Sequence, residues 1–385
     1  MGAVLVEVLR VAGAAGVSQQ GLAAKAVGDD TTATSRLGRA VQLAAQMPDA
    51  DGAARPAAVV GGPVGFIGAA ESKAALVASG ALPIAHGNDI GGSLRFPSAA
   101  TGAVTVKPGL GRTPGWNPSQ SAERGLLAQL MSVQGVICRE VRDVRLAMKS
   151  AVAYDPHDPW QVPVPFEGPA LDQPIRIGFT KNTYQFEAHP AVTKALDAAR
   201  DCLVDAGYEV VEIETPDIGE IGETGYRALM GEINVLMLND IRTHGSAEIN
   251  RMFDEYFELF PPFEGEELLR QMARRSHFIR QWNLLLEDYP LVLTPFLPAP
   301  TYAWNRDAEG KDGIMEVLGC GIWSFAMNYM GLPAGIVSPS MHDGLPVAVQ
   351  MVGRRFREDM ILDALEAVET RTGIMAHKLF DREQD

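Results

Sequence analysis

Nine consecutive residues carry the densest chemistry in this sequence: Gly87-Asn88-Asp89-Ile90-Gly91-Gly92-Ser93-Leu94-Arg95. Glycines directly before a serine let the backbone turn tightly and approach a ligand with no side chain in the way. The amides exposed by such a turn can converge on an oxygen beside the serine hydroxyl. A nucleophilic serine needs this arrangement, because the hydroxyl attacks a carbonyl and backbone donors hold the resulting oxyanion. Read alone, the stretch is more often a glycine-rich turn with a solvated serine, since short glycine motifs recur without function.

Other candidate chemistry is thinner. The chain has no H-E-x-x-H and no dinucleotide fingerprint, and GFIGAAESK (65–73) departs from a P-loop because its lysine follows the serine. Cys138, Cys202 and Cys320 lie too far apart for a disulfide framework or a zinc pattern, so no metal and no cofactor are expected. Cys138 sits among small apolar residues and is expected to be buried and inert. Trp282, Trp304, Trp323 and Phe325 are candidate linings of an apolar substrate pocket, although core packing is the commoner role for such residues. The acidic run 254–267 reads as a solvated helix face and loop.

The elements that must position the loop follow from pattern. Residues 82–86 read as a short buried strand leading into it, preceded by a helix that stops at Gly80; residues 103–106 read as the next strand, ended by Lys107-Pro108-Gly109. Helical spacing covers 141–152. Six prolines in 155–174 make that stretch a linker or loop. Residues 175–180 form a strand, and 190–206 a helix with Pro190 in its first turn and Gly207 as its stop. Residues 209–214 return as a strand. This strand–helix–strand order predicts an α/β fold whose sheet is covered by helices. Residues 216–290 read as mostly helical. A short strand at 291–294, a buried helix, a strand, a turn at Asp343-Gly344, a strand at 347–352 and a helix at 358–372 complete the chain.

Composition bounds the rest. The chain has 385 residues, 46% hydrophobic and 21% charged, enough apolar material for a sizeable core. A net charge of −15 repels phosphate backbones and argues against nucleic acid as a partner. No run reaches the roughly 18–20 apolar residues of a membrane span, so no membrane partner is expected. The first residues carry Glu7 and Arg10 within their apolar stretch and make a poor secretory signal; a cytoplasmic setting is expected. Residues 1–73 form an atypical alanine- and glycine-rich segment, with Phe66 its single aromatic, set apart from 74–385.

Residues 81–113, ALPIAHGNDIGGSLRFPSAATGAVTVKPGLGRT, resemble the amidase signature family, whose pattern there is close to G-S-D-x-G-G-S-[IL]-R-x-P-A, followed by K-P-[ST]-x-G-R. The resemblance continues through 139–143, 175–213 and 332–359 and covers about 74–373. It implies a large mixed central sheet flanked by helices on both faces. It implies an amidase that cleaves a small-molecule carboxylic amide through an acyl-enzyme, without cofactor. By position Ser93 is then the nucleophile. Ile90, Gly91 and Gly92, with the Ser93 amide, supply the oxyanion hole, and Asp89 and Arg95 brace the loop.

Two family features depart. The relay serine of the family, aligned through 67–73, falls on Ala69, beside Ala70, and the lysine that deprotonates it has no counterpart. Lys25 lacks the expected surroundings. Ser72, Lys73 and His86 are the substitutes weighed for the missing base. The alternatives to an active amidase are an impaired or inactive homologue and a glutaminase-type subunit of an amidotransferase. A homodimer is a further expectation, since a sheet without its usual N-terminal cover exposes apolar surface.

Overall fold

The computed structural model describes residues 74, 77, 78, 82–116, 122–303 and 306–382. Ala74, Val77 and Ala78 are helical, as expected of the helix before β1, while its stop at Gly80, the segment 1–73 with Ala69, Ser72 and Lys73, and Trp304 lie outside the described residues.

Eight strands form one mixed sheet: β1 (Ile84–Asp89), β2 (Val104–Lys107), β3 (Val133–Cys138), β4 (Arg176–Phe179), β5 (Glu209–Glu212), β6 (Leu291–Pro295), β7 (Ala334–His342) and β8 (Leu345–Gly353). Their order is β1-β3-β2-β7-β8-β6-β4-β5. Pairing is antiparallel except where β4 runs parallel to both β5 and β6. The β4-to-β5 connection is the strand–helix–strand unit expected from the sequence, because parallel neighbours need a crossover. β7 and β8 are joined at Asp343 and Gly344, both at positive φ (48° and 78°), the backbone that a two-residue hairpin demands.

The helices are α1 (Arg95–Thr101), α2 (Leu126–Met131), α3 (Val141–Ala151), α4 (Pro190–Asp205), α5 (Ile218–Leu236), α6 (Leu238–His244), α7 (Ala247–Leu259), α8 (Gly265–Asp288), α9 (Lys311–Ile314), α10 (Ile322–Met330), α11 (Glu358–Thr372) and α12 (Met375–Arg382). They cover both sheet faces, and side-chain alternation along the strands divides the core accordingly. Leu291, Leu293, Val349 and Met351 join α3, α4 and α11 in one core, while Val292 and Val352 join α5, α8 and α10 in the other. All nine residues of α10 are buried, as expected of a helix that is apolar nearly all round. Each large apolar side chain removed from water in these cores contributes ~1.5–3 kcal/mol.

The structure extends the sequence expectation at the loop. β1 starts at Ile84 and continues through Asp89, so Gly87, Asn88 and Asp89 are strand residues opposite Gly135, Gln134 and Val133. Glycine and asparagine have little strand preference of their own, and pairing with β3 overrides it. The irregular part shrinks to Ile90–Leu94. β3, α1 and α2 had not been anticipated.

Candidate active site

The loop is held from beneath by one buried arginine. Arg95 opens α1, and its guanidinium is sealed from solvent. Its Nε donates to Asp89 Oδ2 at 3.1 Å and its Nη2 to Asp89 Oδ1 at 3.1 Å, a two-pronged pairing of planar groups. Nη1 donates to Gln350 Oε1 at 2.9 Å, and Nη2 also reaches the Ser324 carbonyl and Asn328 Oδ1. Asn328 in turn donates to the Asp89 carbonyl, to Asp89 Oδ1 and to the Met131 carbonyl, at 3.0–3.1 Å. Four segments far apart in sequence are thereby pinned to one point.

The Asp89 carboxylate finishes the loop. It accepts from the Gly92 amide at 2.8 Å and from the Leu94 amide at 3.3 Å. Burial by itself would push this carboxyl upward. The Arg95 guanidinium beside it, aided by Lys107 and Asn328, outweighs burial and holds it below the usual carboxylate range. Gly92 sits at φ 130°, and a Cβ there would come within 2.3 Å of the Phe96 ring and 2.5 Å of Ser324 Oγ. Only glycine fits. Ser324 donates its hydroxyl to the Gly91 carbonyl at 2.9 Å, and the Phe325 ring lies against Gly91.

With these groups committed, Ser93 stands exposed at the top of the loop. Its hydroxyl makes no hydrogen bond among the described residues. The Gly92 amide proton goes to Asp89, while the amides of Ile90, Gly91 and Ser93 make no hydrogen bond among the described residues. An exposed hydroxyl beside unengaged backbone donors can accept a carbonyl carbon and hold an oxyanion. His86 is an exposed residue of β1, and alternation along the strand puts it on the opposite face from Asp89.

A second buried cluster explains the other signature residues. Lys107 is fully buried, and its ammonium donates to the Pro108 carbonyl at 2.9 Å. Burial, then repulsion by Arg95, pulls its pKa down to about 7, against the opposing pull of Asp89 and Glu358. Glu358, at the start of α11, accepts from the Gly109 amide at 2.9 Å and pairs with Arg112 at 3.2 Å. Arg112 donates to the carbonyls of Val164, Pro165 and Phe166. These residues anchor the chain after β2.

The aromatic residues weighed as pocket lining divide differently. Trp282 and Trp323 meet edge to face at 6.1 Å inside the core, and Phe325 supports the loop. None of the three lines the cavity found beside α1. That cavity, of ≈ 330 Å³, is walled by Phe186, Leu297, Tyr302, Met315 and Cys320, among others. Cys138 is buried as expected, and burial pushes its thiol well above the ordinary value. Sequence reasoning passed over Ser324, Asn328 and Gln350. Their signal was present: Ser324 and Asn328 are polar residues four apart in an otherwise apolar helix, and Gln350 interrupts an apolar strand.

Comparison with known proteins places this geometry. The family model Amidase matches residues 72–362, and a second model, precorrin-8X methylmutase, matches 12–104. Indoleacetamide hydrolase of Bradyrhizobium diazoefficiens is 38% identical over 315 residues, covering 82% of this chain and 60% of that protein. A glutamyl-tRNA(Gln) amidotransferase subunit of Sinorhizobium medicae is 28% identical over 339 residues, covering 80% and 66%. A bacterial aryl acylamidase of the amidase signature family has the same fold, with TM-score 0.64 and 22% identity over 80% of this chain and 66% of that one. The chain thus spans about 60–66% of the length of these proteins.

Proposed function

Because this chain belongs to the amidase family, we propose that it hydrolyses a carboxylic amide through an acyl-enzyme on Ser93. The observation that carries this reading is the exposed Ser93 on a loop braced from below by Asp89 and Arg95. The Ser93 oxygen attacks the amide carbonyl carbon as its proton passes to a base. The oxyanion is held by the amides of Ile90, Gly91 and Ser93, with Gly92 contributing its conformation. The C–N bond breaks as the nitrogen takes up a proton, ammonia or an amine leaves, and water then releases the acid by the same route.

A fluorophosphonate probe with intact-mass readout tests the proposal. Wild-type protein should gain one adduct, and Ser93→Ala should gain none. Losing a general base typically costs about two to four orders of magnitude in rate, so variants at Ser72, Lys73 and His86 would then identify the base by slowed labelling. A folded wild-type protein that stays unlabelled removes the hydrolase reading in favour of an amide-binding homologue without turnover.

The names of the indoleacetamide hydrolase relatives support an arylacetamide as substrate class. The amidotransferase relatives support the glutaminase alternative at lower identity. The free cysteines support a cytoplasmic setting. Among the described residues, no helix is long and apolar enough to cross a membrane. A homodimer is also proposed, on the exposed apolar side chains of α5 and α8.

A further inference from the structure

The cavity beside α1 is joined to the serine loop through Phe96. Phe96 lies one helical turn beyond Ser93, and its backbone amide donates to the Gly92 carbonyl at 2.7 Å. Its ring is 5.0 Å from Phe296 and 6.4 Å from Tyr302, and it fills the space that side chains at Gly92 and Gly321 would need. Phe96, Phe186, Leu297, Tyr302 and Cys320 form one apolar cluster. The cavity thus adjoins the loop by way of Phe96.

Its chemistry is one-sided. The acidic side chains that line it are Glu187 and Glu316, and no lysine, arginine or histidine lines it among the described residues. Both are exposed at the rim. Glu316 is paired with Arg306, whereas no ion pair engages Glu187 among the described residues. The inner wall is made by a π-helical turn, Met315–Gly319, followed by Cys320, whose thiol donates to the Glu316 carbonyl. Burial pushes that thiol up to about 12, so it serves as neutral wall. Single π-turns recur where a helix is bent to shape a site.

We propose that this cavity receives the acyl side of the substrate, that it takes an uncharged aromatic group of one or two fused rings, and that it excludes substrates bearing a carboxylate there, glutamine included. The proposal rests on the reading of the Ser93 loop as the reaction centre. A volume of ≈ 330 Å³ lies at the small end of ligand pockets and suits a benzyl or indolyl group. A carboxylate entering it would give up hydration, find Arg306 at the rim already paired with Glu316, and face Glu187.

Calorimetric titration of the full chain tests this, with Ser93→Ala used to prevent turnover. The probes are phenylacetamide and its para-carboxylate analogue, which differ only by the charge. Phenylacetamide should bind, and the carboxylate analogue at least tenfold more weakly. Cys320→Trp, which fills the recess, should weaken phenylacetamide at least tenfold with the thermal transition retained. Glu187→Arg, an exposed change that spares the fold, should narrow the gap between the two probes. Equal binding of the probes, absence of phenylacetamide binding, or a gap unchanged by Glu187→Arg overturns the proposal. Binding with no fluorophosphonate labelling would reject the hydrolase reading and leave the pocket assignment standing. Labelling without phenylacetamide binding would do the reverse.

Discussion

Arg95 illustrates how one side chain can define a site it does not enter. Its three nitrogens make five hydrogen bonds, to Asp89, Gln350, Asn328 and the Ser324 carbonyl, so each nitrogen has a partner. Taking a charged pair out of water is costly, and removing one member costs more because the other is left alone. Arg95→Met should therefore destabilise the protein by ~3–5 kcal/mol, seen as a lower urea midpoint, and should abolish labelling at Ser93. A variant that keeps the wild-type midpoint would show that Asp89 finds adequate partners in Asn328 and the loop amides. The glycine-rich loop and its serine were legible in the sequence as residue types. The partners of Arg95 were not, because Asn328 and Gln350 lie 233 and 255 positions away and meet it only once the sheet has formed.

At the scale of elements, α11 and α3 are coupled by a carboxyl group. Glu369 of α11 accepts from the Val141 amide at the start of α3 through both oxygens, at 3.1 and 3.2 Å. Burial is the main cause that raises its pKa to about 8, with Glu140, Glu366 and Asp143 adding to it and the Val141 amide opposing. A pKa raised above the unfolded value of about 4.5 means that the folded state holds the proton more tightly. The associated stability is full below about pH 4.5 and is lost as pH rises through about 8. Glu369→Gln, which stays neutral, should flatten the fall in melting temperature between pH 5 and 8. An unchanged slope would place the pH dependence in other groups. The helices at 141–151, 190–205 and 358–372 were evident from apolar spacing and terminal proline and glycine. β3 was missed because its glycine and glutamine dilute the strand pattern, and its existence depends on lying between β1 and β2.

For the whole molecule, the sheet order brings β1 and α1 from the start of the described chain against β7, β8 and α10 near its end. On the outside, Val235 and Leu236 of α5 and Leu269 and Leu284 of α8 are 58–74% exposed. Apolar side chains kept in water favour association. Sedimentation at tens of micromolar should show a dimer, and Val235→Lys combined with Leu284→Lys should shift it to monomer. A wild-type monomer across that range removes the homodimer proposal. The segment 1–73, set apart by composition, falls largely within the second family match, at 12–104, which overlaps the Amidase match at 72–104. GFIGAAESK (65–73) lies within that second match, and its last two residues, Ser72 and Lys73, lie in both.

The sequence by itself determined the local features: the family, the α/β class, the glycine loop with Ser93, the crossover unit between β4 and β5, and the β7–β8 hairpin turn. Each of these is written in contiguous residues whose backbone preferences or spacing act over a few positions. Only the tertiary structure decided that Asp89 takes the Gly92 amide and that Asn328 and Gln350 hold Arg95. It also decided that Trp282 and Trp323 are core, and that the recess near α1 is lined from 186–187, 297–302, 315–316 and 320. Those outcomes depend on which faces meet across the sheet, and that is set by strand order and register, which no local pattern encodes.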